Sequence, residues 1–101
     1  MIIEHVHLQI QSEQSASFEQ AFQQAKHLIA GMHGFLGLQL IRHVDDPQRY
    51  ILWVQWHQLE DHQLGFRQSE AYQQWAKILH PFYAPMPTVE YYQPCITVDK
   101  A

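Results

Sequence analysis

The stretch "RYILWVQWH", residues 49–57, constrains the fold most, because it is apolar in both phases of a two-residue repeat. Alternate side chains of a strand point to opposite faces of its sheet. Tyr50, Leu52, Val54 and Trp56 therefore fall on one face, and Ile51 and Trp53 on the other. An antiparallel strand with one wetted face would be polar at every second place, so both faces of this sheet call for cover. The chain has 101 residues, 47% of them hydrophobic, which is one domain's worth and enough for a single modest core. A chain this short can cover one face only. The other is expected to meet a second copy, giving a homodimer whose sheets pack face to face about a two-fold axis.

The rest of the chain supplies the elements around that strand. Residues 2–10 alternate, with Ile2, Val6, Leu8 and Ile10 opposite His5, His7 and Gln9, which predicts a first strand. Ser17, with Gln20 three residues on, reads as a capping box, after which Phe18, Ala21, Phe22, Ala25, Leu28 and Ile29 recur at helical spacing until Gly31. "GFLGLQLIRHV" predicts a second strand, joined to the third by "DDPQ", whose proline cannot continue a ladder and so favours a hairpin. "HQLEDHQLGFRQ" predicts a short helical stretch with Glu60 and Asp61 near its positive end. Ser69 caps a further helix through Ala71, Tyr72, Trp75, Ile78 and Leu79, ending before Pro81. Residues 88–98, "TVEYYQPCITV", predict a last strand interrupted at Pro94. The order strand, helix, strand, strand, helix, strand is that of an α+β, ferredoxin-like split βαβ domain spanning residues 1–101, with a four-stranded antiparallel sheet and helices on one face.

Several classes of function do not fit this composition. Six Lys and Arg stand against ten acids and are scattered, so there is no electrostatic footprint for nucleic acid or an anionic membrane. "MIIEHVHLQI" reaches Glu4 after two isoleucines and carries neither a basic leader nor a membrane-length apolar run, so a cytoplasmic protein is expected. A single cysteine, Cys95, fits a reducing compartment. His5 and His7 project from one strand face as chelating pairs do, yet spacing supplies no third ligand, and no metal site is expected. Cys95 has no histidine nearby in sequence and no Gly-rich phosphate loop exists, so hydrolase and nucleotide-binding readings lapse.

"HGFLGLQLIRHVDDPQRYILWVQWHQLEDHQ", "FRQSEAY" and "PTVEYY" together resemble the antibiotic biosynthesis monooxygenase family, over roughly residues 2 to 93. The resemblance implies a dimeric α/β barrel with a pocket between helices and sheet in each subunit. It also implies oxygenation of a small aromatic substrate by dioxygen without metal, flavin or other cofactor. The anthrone-oxidising branch of that family uses an asparagine, a tryptophan and a tyrosine whose places fall here at His62, Phe66 and Tyr72, so only the tyrosine is kept. The haem-degrading branch needs that tryptophan and a histidine whose places hold Phe66 and Ala76.

Phenols and hydroquinones, once deprotonated, can pass an electron to dioxygen themselves, so the protein need supply only a base, an aromatic slot and exclusion of water. His62 and Phe66 lie i and i+4 on a helix and share a face, placing an imidazole beside a ring that can stack on a planar substrate. Tyr72 is expected as a hydrogen-bond partner in that cavity, with core packing as its other explanation. Glu4, Val6, Leu38 and Trp56 are candidates for the pocket floor, and a buried Glu4 would have a raised pKa and could replace His62 as the base. The leading expectation is a cofactor-independent monooxygenase of a hydroquinone or polyphenol. The alternatives are a dimeric small-molecule-binding or stress-associated domain without turnover, and an isomerase of a small metabolite.

Overall fold

A computed structural model describes residues 1–101. Strands β1 (Ile2–Gln9), β2 (Phe35–Arg42), β3 (Arg49–Trp56) and β4 (Val89–Tyr92) form one antiparallel sheet in the order β2-β3-β1-β4. Helices α1 (Ser15–Ala30) and α2 (Glu70–Leu79) pack against each other on one of its faces. This is the ferredoxin-like α+β arrangement expected from the order of elements.

One phase of β3 is buried within the chain and the other is not. Tyr50, Leu52, Val54 and Trp56 are buried beneath the helices against Phe18, Phe22, Ala25 and Ile29 of α1 and Trp75 and Leu79 of α2. On the outer face Ile3, Ile51 and Trp53 remain only half-buried and Ile41 is exposed, with nothing of this chain laid over them. No helix is long and apolar enough to cross a membrane.

Three elements depart from the periodicity reading. α1 begins at Ser15, so Ser17 lies inside the first turn and no side chain caps the helix; the first helical bond runs from Phe18 N–H to Gln14 C=O, while the Ser15 hydroxyl donates to the Pro47 carbonyl in the β2–β3 turn. β4 stops at Tyr92 and does not continue to residue 98, because it is an edge strand pairing only with Ile3–Val6 of β1 and Pro94 has no N–H to extend the ladder. The short helical stretch is a π-helix, Asp61–Phe66, in which Arg67 N–H donates to His62 C=O at 2.9 Å. Such wide turns are rare and are frequently found at functional sites. Ser69 caps α2 as expected, its Oγ accepting from Tyr72 N–H at 3.0 Å.

Candidate active site

Sheet register decides what meets what. Glu4 of β1 lies between Val54 of β3 and Tyr91 of β4, and it shares the inward phase of Val6 and Leu8. A carboxyl thus sits in the layer between sheet and helices, 4% exposed. Trp56, which ends β3, is fully buried and donates its indole Nε1–H to Glu4 Oε1 at 3.0 Å. The chain then turns into the π-helix, which drives His62 inward, so that its Nε2 lies 3.3 Å from the same Oε1. From the other side Tyr91 brings its hydroxyl to within 2.6 Å of His62 Nδ1. Glu4 Oε2 makes no hydrogen bond within the chain.

The π-helix is fixed by its own first residue. Asp61 Oδ2 accepts from Gln58 N–H at 3.1 Å, and the carboxylate lies directly over the α-carbon of Gly34. Gly34 has φ +82°, and a Cβ there would collide with the Asp61 carboxylate. Its carbonyl accepts from His57 N–H at 2.7 Å. Glycine is required on both counts, conformation and space.

Burial dominates the electrostatics. Glu4 is pushed up from 4.5 to about 7 by desolvation, against the opposing pull of the Trp56 N–H and the Arg67 guanidinium. His62 is held down from 6.5 to about 4, again by burial first and then by Arg67. Burial also raises the Tyr91 phenol, and the Glu4 charge raises it further. Near neutral pH the imidazole is therefore uncharged while Glu4 stands close to its midpoint.

Glu4 and His62 line a cavity of about 120 Å³ with Val6, Phe66, Arg67 and Tyr72. Phe66 is 1% exposed, its ring held among Trp56, His62, Tyr72 and Trp75 at centroid distances of 6.1, 6.1, 5.3 and 5.6 Å. Tyr72 is half-buried, and its hydroxyl makes no hydrogen bond within the chain. The Arg67 guanidinium lies over the Tyr72 ring, 5.3 Å from its centroid. A second hollow of about 680 Å³ opens beside His7, Ile41 and Ile51 on the outer sheet face. That face is the one expected to be covered by another copy, so the smaller inner cavity is the candidate site.

Glu4, Val6, His62, Phe66 and Tyr72, read from sequence as site residues, are thus brought together. Trp56 supports the site through its hydrogen bond to Glu4 without lining the cavity. Leu38 is not there: it lies on β2, one strand further from β1, where it pairs with Val54 of β3 and lines a separate groove with Phe22 and Leu40. His62, which in sequence stands beside Glu60 and Asp61, is 2% exposed. His5 and His7 face away from the site, their ring centroids 4.8 Å apart, and no three His, Cys, Asp or Glu side chains are grouped so as to hold a metal ion. Sequence reasoning missed Arg67 and Tyr91. "FRQ" carried a signal for the first, a base directly after the site phenylalanine; for the second, the doubled tyrosine of "VEYY" gave no indication of which ring turns inward.

A family model described as antibiotic biosynthesis monooxygenase matches residues 1–78. The uncharacterized protein YczJ of Bacillus subtilis (strain 168) is 43% identical over 93 residues, covering 92% of this chain and 98% of its own. Among solved structures, a Bordetella bronchiseptica protein named for the same family is 34% identical, with TM-score 0.89 and coverage of 94% of this chain and 97% of that one. SnoaB of Streptomyces nogalater, a cofactor-independent oxygenase, superposes with TM-score 0.85 over 98% of this chain and 97% of its own, at 15% identity, a likeness of fold alone.

Proposed function

The chain belongs to the antibiotic biosynthesis monooxygenase family, and from that premise we propose that it is a cofactor-independent monooxygenase of a single-ring hydroquinone or polyphenol, working as a homodimer. The observation that carries the reading is a buried carboxyl, Glu4, in the wall of a cavity, with one oxygen accepting from the Trp56 indole N–H and lying 3.3 Å from His62 Nε2, and the other without a hydrogen bond in the chain. A base is most effective when its pKa lies near the working pH, and Glu4 at about 7 meets that condition where His62 at about 4 does not. Glu4 therefore replaces His62 as the base. An apolar cavity of about 150 Å³ takes up benzene, so a cavity of about 120 Å³ suits one ring better than three.

In this reading the substrate ring lies against Phe66 with its hydroxyl at Glu4 Oε2. Glu4 takes the hydroxyl proton, Arg67 favours the phenolate that remains, and Tyr72 donates to oxygen at the mouth. The phenolate passes one electron to dioxygen, and the radical pair combines to form a ring C–O bond. The peroxide then loses its outer oxygen as water, taking up the proton held by Glu4 and the ring hydrogen. One hydroquinone and one dioxygen yield one hydroxyquinone and one water, the four electrons needed by dioxygen all coming from the ring.

Oxygen-electrode traces with a panel of one-, two- and three-ring hydroquinones test the reading. One dioxygen consumed per quinone formed is expected, fastest for one ring, with a single label from ¹⁸O₂ in the product. Saturable binding of the same compounds with no oxygen uptake would replace the enzyme by a small-molecule-binding domain.

A further inference from the structure

We propose that Tyr91 is a positioning residue: by donating its hydroxyl hydrogen to His62 Nδ1 it fixes the imidazole in the tautomer that carries hydrogen on Nε2, and so favours the ionised form of Glu4 over the acid. The inference rests on the reading of Glu4 as the base. It concerns a residue outside the 1–78 segment that the family model matches.

The argument is one of donors and acceptors. A neutral imidazole has one N–H and one bare nitrogen, and the partner of either nitrogen dictates the state of the other. Tyr91 can meet Nδ1 as donor or as acceptor. A phenol is a good donor and a poor acceptor, an imidazole nitrogen is a good acceptor, and a separation of 2.6 Å is that of a strong O–H···N bond. Hydrogen is then left on Nε2, 3.3 Å from Glu4 Oε1, the oxygen that accepts the Trp56 indole N–H. The indole hydrogen bond, together with the positive end of an imidazole N–H beside the same oxygen, favours the carboxylate. With hydrogen on Nδ1 instead, the bare Nε2 would face Glu4 and require a carboxylic acid there, which is no base.

The neighbourhood leaves this task to Tyr91. The charged and titratable groups facing the Glu4–His62 pair are Arg67 at the end of the π-helix, Tyr72 of α2, His80 beyond it, Tyr83 in the following loop, and Tyr91 of β4. Arg67 acts on both members, drawing Glu4 down and also resisting any charge on His62. It selects no tautomer. Of the five, only Tyr91 makes a hydrogen bond to the imidazole. The same bond occupies the nitrogen that would otherwise be a buried polar atom without a partner, since His62 is 2% exposed.

Imidazole ¹⁵N shifts of His62 in the unmodified protein, measured at mildly alkaline pH, report which nitrogen carries hydrogen. Nε2–H is expected, and Nδ1–H overturns the proposal. In Tyr91→Phe, infrared titration of the Glu4 carboxyl, assigned through its loss in Glu4→Gln, should show the midpoint raised by about one pH unit, a tenfold fall in the carboxylate-to-acid ratio. The acid limb of the oxygenation rate should move with it and the alkaline plateau should recover, whereas a merely structural role would lower the plateau and leave the limb in place. An unmoved midpoint refutes the assignment. The ¹⁵N and infrared measurements need no substrate, so an oxygenation assay that fails beside the expected tautomer and midpoint removes the monooxygenase reading and leaves Tyr91 in its role.

Discussion

Replacing Glu4 by Gln should stabilise the protein at alkaline pH, by an amount that the surroundings of the carboxyl fix. The group titrates near 4.5 when free and at about 7 in the folded chain. Between those values the folded chain holds a proton that the unfolded chain has released. The stability tied to Glu4 is therefore fully present below pH 4.5, is lost as pH rises through the window, and stays lost above about 7. At about 1.4 kcal/mol per pH unit, the window corresponds to a loss of about 3 kcal/mol. His62 runs in the opposite direction: lowered from 6.5 to about 4, it contributes stability above 6.5 that is lost as pH falls through 4. The two slopes oppose each other between 4.5 and 6.5, which flattens the wild-type curve there. The difference between variant and wild type isolates Glu4. Gln has the same shape and keeps an acceptor for the Trp56 N–H, so urea unfolding of both proteins from about pH 4 to about pH 8, at one protein concentration, should give a stability difference that climbs in favour of Glu4→Gln by about 3 kcal/mol and then levels. A difference independent of pH would mean that the carboxyl is not held near neutrality, and the case for Glu4 as a base would go with it.

Tyr72→Phe removes a hydroxyl that no group of the chain satisfies, so the urea midpoint should move by well under about 1 kcal/mol while turnover falls ~10-fold or more; a destabilised variant with unchanged turnover would make Tyr72 a core residue. Gly34→Ala places a methyl group against Asp61 at φ +82°, which should cost about 2–4 kcal/mol and lower activity by shifting the π-helix that carries His62; a variant as stable as wild type would show that this contact gives way. Light scattering should report about twice the 12.0 kDa chain mass at micromolar concentration, and Trp53→Glu should shift the protein toward that single-chain mass; a monomeric wild type would leave Ile51 and Trp53 without a reason to be apolar.

By itself the sequence determined what depends on near neighbours. The alternation of β1 and β3, the helical spacing of Phe18 to Ile29, the Ser69 cap and the Asp-Pro turn are each written within a few residues, because side-chain direction repeats with the backbone period and caps act over a single turn. Hence the order of elements, the ferredoxin-like fold and the two-faced demand of β3 were legible, as was the pairing of His62 with Phe66. What only the tertiary structure decided depends on pairing between distant segments. Whether Glu4 looks in or out, that β1 is central with Val54 and Tyr91 on either side of Glu4, that Leu38 lies a strand too far away, and that Tyr91 rather than Tyr92 reaches His62 all follow from strand order and register. A register shift of one residue would exchange every one of those faces, and no local pattern in the chain encodes it.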